Sequence, residues 1–183
     1  MKKRTGCGAK ARFTLFNKTF YRKLLALALC LSYIERFIPL DLVVPLPGIK
    51  LGLANIVTLT ALYFLGAKTA FPILILRCVL GSAFGGGPSA LLFSLTGGLL
   101  AMAVMAAVRR LPFLSIYGVS ILGAAAHNTG QVLAAMATLG SVYAAAYLPL
   151  LLAVSIATGL LTGTISAMTF RALAATGQSP ARR

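Results

Sequence analysis

The sequence is poor in acidic residues, and this scarcity limits the chemistry open to the chain. Aspartate and glutamate number 2 in 183 residues, Glu35 and Asp41, and tryptophan is absent. Only 10% of the residues are charged, against about 25% in an ordinary soluble domain. A soluble fold of this size needs a polar surface, which this composition does not supply. Because 59% of the residues are hydrophobic, we predict an all-α, polytopic membrane protein surrounded mostly by lipid.

Cysteine and histidine are also scarce, which argues against a metal or redox centre. The three cysteines are far apart in sequence, at Cys7, Cys30 and Cys78, and form no CxxC pair. His127 is the only histidine. We therefore expect no metal site and no cofactor.

Basic residues are plentiful, but their distribution does not favour nucleic acid. Eight of the 17 lysines and arginines lie in residues 1–23, and most of the others lie between hydrophobic runs. No folded basic surface is left for a nucleic-acid partner. Basic segments that flank hydrophobic runs are typical of contact with anionic lipid headgroups, so we take the bilayer as the main partner.

Six hydrophobic segments are candidates for helices that cross the bilayer, which takes about 20 apolar residues. Their approximate bounds are 18–38, 51–66, 69–84, 88–108, 116–138 and 146–170. The second and third are short, so they suit tilted or cavity-lining helices. We predict a six-helix domain over 18–170, with an unstructured basic tail at 1–17 and a short basic tail at 171–183.

Small residues at four-residue spacing predict close helix contacts, because lipid gives helices no hydrophobic reason to associate. The last helix carries such a stripe at Ser155, Gly159, Gly163 and Ala167. The first helix carries two pairs, Ala26 with Cys30 and Ala28 with Ser32. Both sets fit packing within the bundle, and those of the first helix also suit a docking face for a separate membrane protein.

Polar side chains inside the hydrophobic segments need partners, and two interpretations remain open. His127 and Gln131 are four residues apart and Asn128 lies beside them, so they form one polar stripe on a helix. One interpretation is a hydrogen-bonded network that fixes helix packing, with Glu35 neutralising Arg77. The other is a donor-rich pocket for a small anionic ligand, with loop 39–50 as its lid. Its predicted ligand-binding residues are Lys50, Asn55, Arg77, His127, Asn128 and Gln131.

Three motifs carry a family resemblance. The stretches "PGIKLGLANIVTLTALYFLGAKTA", "LRCVLGSAFGGGPSALLFSLTGGLLAM" and "GVSILGAAAHNTGQVLAA" occur in this order. They resemble the bacterial membrane family called heptaprenyl diphosphate synthase component I, also termed Gx transporters, over about residues 24–170. The resemblance implies a multi-pass protein of the bacterial cytoplasmic membrane.

That family is similar to the substrate-binding subunits of energy-coupling factor transporters. The similarity implies six helices, cytoplasmic termini and a small-molecule ligand bound near the outer face. It also implies that the small residues of the first helix, Ala26, Ala28, Cys30 and Ser32, dock a transmembrane coupling subunit driven by ATPases. On this basis the first expectation is a substrate-binding subunit for uptake of an anionic or isoprenoid- or quinone-related molecule.

The family label itself suggests a different role. Prenyl transfer resembles other magnesium–diphosphate chemistry, which needs clustered carboxylates, and two acidic residues cannot build two such sites. We therefore expect the chain not to be an enzyme by itself. The alternatives are a non-catalytic membrane component of heptaprenyl diphosphate or menaquinone synthesis, and a quinone-interacting subunit of an electron-transfer system.

The distribution of basic residues predicts that both termini are cytoplasmic. With that orientation, 14 of the 17 lysines and arginines lie on the cytoplasmic side, as the positive-inside rule requires. Reporter fusions after Arg110 and after Arg183 should both give a cytoplasmic signal. A periplasmic signal from either fusion would contradict the six-helix topology.

Overall fold

The fold is an assembly of six α-helices. The computed structural model describes residues 5–38, 50–84 and 86–175, with the side chains of 5–17 and 36 left out. The α-helices in chain order are α1 (Thr5–Ile34), α2 (Asn55–Phe64), α3 (Ala67–Ala83), α4 (Gly87–Val108), α5 (Ile116–Leu139) and α6 (Leu148–Ala175). Short 3-10 helices follow α1 at Glu35–Phe37 and precede α6 at Val142–Tyr147. The described residues contain no strand, so the all-α prediction is confirmed.

The helices correspond to the six predicted segments, with differences at their ends. Helix α1 begins at Thr5, inside the segment 1–17 predicted as an unstructured tail, and α6 continues to Ala175. Residues 176–183 of the predicted second tail lie outside the described residues, as do residues 39–49 of the predicted lid. Helix α2 has only 10 residues, because the turn around Gly52, with a positive φ, delays its start.

Two helical segments are long and apolar enough to cross a membrane, counting only the residues that the structure describes. They are Gly87–Val108 and Val142–Ala175. Helix α2 rises about 15 Å at 1.5 Å per residue, half of the roughly 30 Å hydrocarbon core. The second predicted span is therefore too short to cross a bilayer by itself. Helix α5 is not one of the two segments, because its polar stripe lowers the mean hydropathy of that helix.

Close contacts through glycine bring α4, α5 and α6 together. A Cβ added at Gly130 of α5 would lie 2.7 Å from the carbonyl oxygen of Thr96 in α4. A Cβ added at Gly159 of α6 would lie 2.5 Å from the Cα of Ile121 in α5. Of the predicted small-residue stripe, Ser155, Gly159 and Gly163 are buried against α5, and Ala167 is half-buried.

Helix α1 contributes one narrow buried stripe to the core. Leu24, Ala28, Ser32 and Glu35 are all buried, at the spacing of one helix face. A Cβ added at Gly81 of α3 would lie 3.8 Å from the Cβ of Ser32, so the two helices are in van der Waals reach there. This stripe fixes the C-terminal end of α1, and thus Glu35, beside α3.

We predict that Gly159→Ala destabilises the fold, whereas Gly118→Ala does not. The new methyl group at Gly159 meets the Ile121 backbone, which cannot move without separating α5 from α6. Overpacking of this kind costs about 1–3 kcal/mol. At Gly118 the nearest atom is the end of the Leu114 side chain, 2.6 Å away, which rotates aside. Unfolding free energies in detergent measure both variants, and an unchanged Gly159→Ala would contradict the interface.

Candidate functional site

Seven buried or half-buried polar residues from six parts of the chain meet inside the bundle. We call this set the polar cluster: Glu35, Lys50, Asn55, Arg77, Ser94, His127 and Gln131. Lys50 is half-buried, and the other six are at most 7% exposed. The polar cluster contains five of the six predicted ligand-binding residues.

Arg77 of α3 is the buried cation at the centre of the cluster. Its side chain is 4% exposed and donates one hydrogen bond, from NH2 to Asn55 Oδ1 at 3.3 Å. Glu35 is near enough for the Arg77 charge to act on its carboxylate, but no direct ion pair joins these two described side chains. The predicted neutralisation of Arg77 by Glu35 is thus an electrostatic interaction at a distance and not a direct ion pair. The Nε donor of the guanidinium has no hydrogen-bond partner among the described residues.

His127 and Gln131 of α5 are bonded to each other and to the segment that enters α2. Gln131 Oε1 accepts a hydrogen bond from the Lys50 backbone N–H at 3.3 Å. This turns the Gln131 amide NH2 towards His127 Nε2, 3.0 Å away. The imidazole Nε2 is then the acceptor, and the ring proton is on Nδ1. Nδ1 faces the Gly97 backbone but has no hydrogen bond of normal geometry in the described structure.

Residues 50–53 close the polar cluster from one side. The Lys50 ammonium donates to Ser94 Oγ at 3.1 Å, and the Leu53 backbone N–H donates to the Glu35 carboxylate. Between them Gly52 has φ +81°, a left-handed conformation that favours glycine. A Cβ there would lie 2.9 Å from the imidazole Cδ2 of His127. The segment therefore contacts α4, α5 and the end of α1 at once.

Two adjacent glycines of α4 allow this helix to approach both of the central side chains. A Cβ at Gly97 would lie 2.9 Å from His127 Nδ1, and one at Gly98 would lie 3.3 Å from Arg77 NH2. A larger residue at Gly97 would meet the His127 carbonyl oxygen at 2.8 Å and separate α4 from α5, whereas one at Gly98 would meet the end of the flexible Leu74 side chain. The run "LTGGLL" is the sequence signal for this contact. Neither its glycines nor Ser94 are among the predicted ligand-binding residues.

The polar cluster has an excess of unsatisfied donors. Three of its buried atoms lack a hydrogen-bond partner in the described structure: Asn55 Nδ2, Arg77 Nε and His127 Nδ1. All three are donors once the His127 tautomer is set by Gln131. An unpaired buried donor costs about 1–3 kcal/mol. The described side chains of the cluster therefore offer more donors than they satisfy.

Asn128 lies apart from the polar cluster, in contrast to the prediction that it lines the same pocket. Its Nδ2 donates to the Leu151 carbonyl at 3.0 Å and to Ser155 Oγ at 2.8 Å, both in α6. Although it follows His127 directly, one residue is a rotation of about 100° on a helix. Asn128 thus joins α5 to α6, and the network interpretation applies to it.

The predicted docking residues of α1 lie on two different faces. Ala28 and Ser32 are buried in the bundle, whereas Ala26 and Cys30 are exposed. Only the second pair is available to another protein. Beside it, between α1 and α3, is an apolar groove of about 390 Å³, lined by Leu29, Cys30, Tyr33, Gly81 and Phe84.

A family model described as heptaprenyl diphosphate synthase component I matches residues 24–169, so the chain belongs to this family. The match covers all six helices except the first part of α1 and the last turns of α6. The description of the family implies a component of a synthase complex. No curated protein and no solved structure matches the chain.

We predict that Asn128 stabilises the fold through Ser155 of α6. A double-mutant cycle with Asn128→Ala and Ser155→Ala should give a coupling energy of about 0.6 kcal/mol, with about 1.7 as the upper bound for such bonds in a membrane bundle. The measurement is the unfolding free energy in detergent of the four proteins. Additive effects of the two substitutions would show that the bond contributes nothing.

Proposed function

We propose that the chain is a non-catalytic membrane component that binds the anionic head of a small isoprenoid- or quinone-related molecule in the polar cluster. The observation that carries this proposal is the pair of unsatisfied donors, Arg77 Nε and Asn55 Nδ2, on two side chains that contact each other. In a bundle surrounded by lipid, buried ionisable groups are costly and usually mark a ligand or transport pathway. An anionic head group supplies acceptors to these donors and a counter-charge to Arg77.

The acidic residues support a binding role over a catalytic one. Magnesium–diphosphate chemistry uses carboxylates to hold the metal, and this chain contains only Glu35 and Asp41. Glu35 already accepts the Leu53 N–H, and it lies beside two cations. We infer that prenyl transfer requires another subunit, in line with the words "component I" in the family description.

The membrane topology is part of the proposal. The helices α4 and α6 are apolar enough to span, and α6 turns large apolar side chains outward, including Ile156, Leu160 and Leu161. Outward-facing aliphatic side chains suit a helix in contact with lipid. We propose a six-helix arrangement in a bacterial cytoplasmic membrane, with α2 enclosed near the cluster.

A second candidate is a substrate-capturing subunit for uptake. The observation that favours it is the exposed pair of small residues on α1, Ala26 and Cys30, next to an apolar groove. Small residues permit close approach of another transmembrane helix. Co-purification distinguishes the candidates, because a synthase component retains a prenyl-transferring subunit and an uptake subunit retains a transmembrane protein with ATPases.

We predict that substitutions in the polar cluster weaken binding of prenyl anions. The probes are farnesoic acid, farnesyl phosphate and farnesyl diphosphate, with farnesol as the neutral control, and the wild-type chain in lipid nanodiscs should bind at least one anion more tightly than farnesol. Arg77→Gln, His127→Ala and Gln131→Ala should each weaken that binding by about 1–3 kcal/mol, the usual value of a lost polar contact. Affinities are measured beside melting temperatures.

The matched control is Asn128→Ala, which removes an equally buried amide of the same helix outside the cluster. This variant should lower the melting temperature and leave the affinity unchanged. If His127→Ala and Gln131→Ala behave in the same way, the cluster is a packing network and the proposal is wrong. These two variants decide the matter even if Arg77→Gln does not fold.

A further inference from the structure

We infer that α4, α5 and α6 present their outward side chains to the lipid of a bilayer, with Phe113 in the headgroup layer at one end of α5 and Tyr143 in the headgroup layer at the other. The inference rests on the membrane arrangement within the proposed function, and it goes further by naming the residues at each interface. It also includes α5, which is not one of the two segments apolar enough to span.

The threonine hydroxyls of these three helices need no water. Each donates a hydrogen bond of 2.8–3.2 Å to a backbone carbonyl in the preceding turn of its own helix. They are Thr96, Thr129, Thr138, Thr158, Thr162, Thr164 and Thr169. Thr138 and Thr164 are exposed on the molecular surface, where water could otherwise be their partner. Because lipid offers no hydrogen bonds, polar groups that face it must be satisfied within the protein, as these are.

The outward side chains of the three helices are aliphatic. No lysine, arginine, aspartate or glutamate occurs in α4, in α5 or in α6 before Arg171. Leu99 of α4 and Leu133 of α5 line a common apolar groove of about 400 Å³, and Ile156 of α6 is 55% exposed. A surface helix of a soluble protein carries charged and polar residues on its outer face. The outer face seen here therefore fits lipid tails.

The polar residues that lower the mean hydropathy of α5 are absent from its outward side. His127, Asn128 and Gln131 are at most 2% exposed, whereas Leu122 and Leu133 are exposed. With 24 residues, α5 is about 36 Å long at 1.5 Å per residue. A hydrocarbon core is about 30 Å thick, and the headgroups bring the bilayer to about 40–45 Å. Helix α5 is therefore long enough to place both of its ends in headgroup layers.

Strongly exposed aromatic side chains lie just beyond both ends of α5. Phe113 lies shortly before Ile116 and is 79% exposed, and Tyr143 lies shortly after Leu139 and is 84% exposed. Tyrosine is enriched at membrane–water interfaces, where its ring contacts acyl chains and its hydroxyl contacts water. A phenylalanine ring at that depth removes apolar surface from water. The two rings are thus placed to hold the bundle at a fixed depth.

Basic residues mark the end of the bundle at which Phe113 lies. Arg110 follows the end of α4, is exposed, and precedes Phe113 by only three positions. Gly163 of α6 lies against Tyr117 at the start of α5, so the later Arg171, also exposed, projects towards the same end. Exposed arginines are complementary to anionic lipid headgroups. This charge, next to an uncharged aliphatic surface, identifies the partner as a bilayer.

The test uses the fact that the chain contains no tryptophan. Phe113→Trp, Tyr143→Trp and Ile156→Trp each introduce one, in the full chain reconstituted into vesicles of phosphatidylcholine and phosphatidylglycerol. Ile156 marks the middle depth, because the adjacent Ser155 is bonded to Asn128 near the centre of α5. Lipids brominated near the glycerol or near the acyl-chain end quench tryptophan at their own depth. We expect about twofold stronger quenching by the shallow bromines at Phe113→Trp and Tyr143→Trp, and by the deep bromines at Ile156→Trp, because a leaflet is about 15 Å deep.

Each other outcome has a separate meaning. Deep quenching, or none, at either end position overturns the inference and leaves the membrane arrangement intact, provided that Ile156→Trp is quenched by the deep bromines. Shallow quenching at Ile156→Trp means that the helices lie along the membrane surface, and no quenching there means that another protein or a second copy covers α6. Both results overturn the inference. If no variant is quenched by any lipid, the membrane arrangement of the proposed function is wrong as well. Leu99→Trp, close to the level of Gly97 beside His127, replaces Ile156→Trp if that variant does not fold.

Discussion

The structure depends on the burial of the Arg77 guanidinium in a bundle made mostly of aliphatic side chains. A cation in such surroundings must be compensated, and the neighbouring elements are arranged around this need. Asn55 supplies an acceptor, Glu35 supplies a nearby negative charge, and Gly98 allows α4 to approach the guanidinium. The compensation is partial, and the unsatisfied Nε is the reason to expect a bound anion.

The same constraint explains why the cluster draws on so many parts of the chain. No single helix offers enough polar groups, because each helix is apolar over most of its length. Residues 50–53 lie between helices, and they complete the cluster by donating one backbone N–H to Gln131 and another to Glu35. The polar cluster is therefore a product of tertiary structure, although most of its side chains are visible in the sequence.

The helices were predictable from the sequence because hydrophobic runs and charged loops mark their ends. The positions of α3, α4 and α5 agree with the predicted segments to within a few residues. The relations between side chains were less predictable. Asn128 and His127 are neighbours in sequence but face α6 and the cluster respectively, and only the rotation of α5 decides this. Gly52 has a positive φ and lies against the imidazole just before α2 begins, a tertiary contact that the sequence does not reveal.

The first helix has small residues on two opposite sides, with Ala28 and Ser32 towards α3 and Ala26 and Cys30 outward. Because the outward side chains are small, a helix of another protein can approach α1 closely from outside the bundle. Packed helix axes are about 8–10 Å apart, so a helix bound to this side would lie only two such layers from α3. Over that distance lipid and protein screen charge poorly compared with salt water. A charged group on a docked protein would then be felt at Arg77, so that assembly and head-group binding would influence each other through the electric field alone.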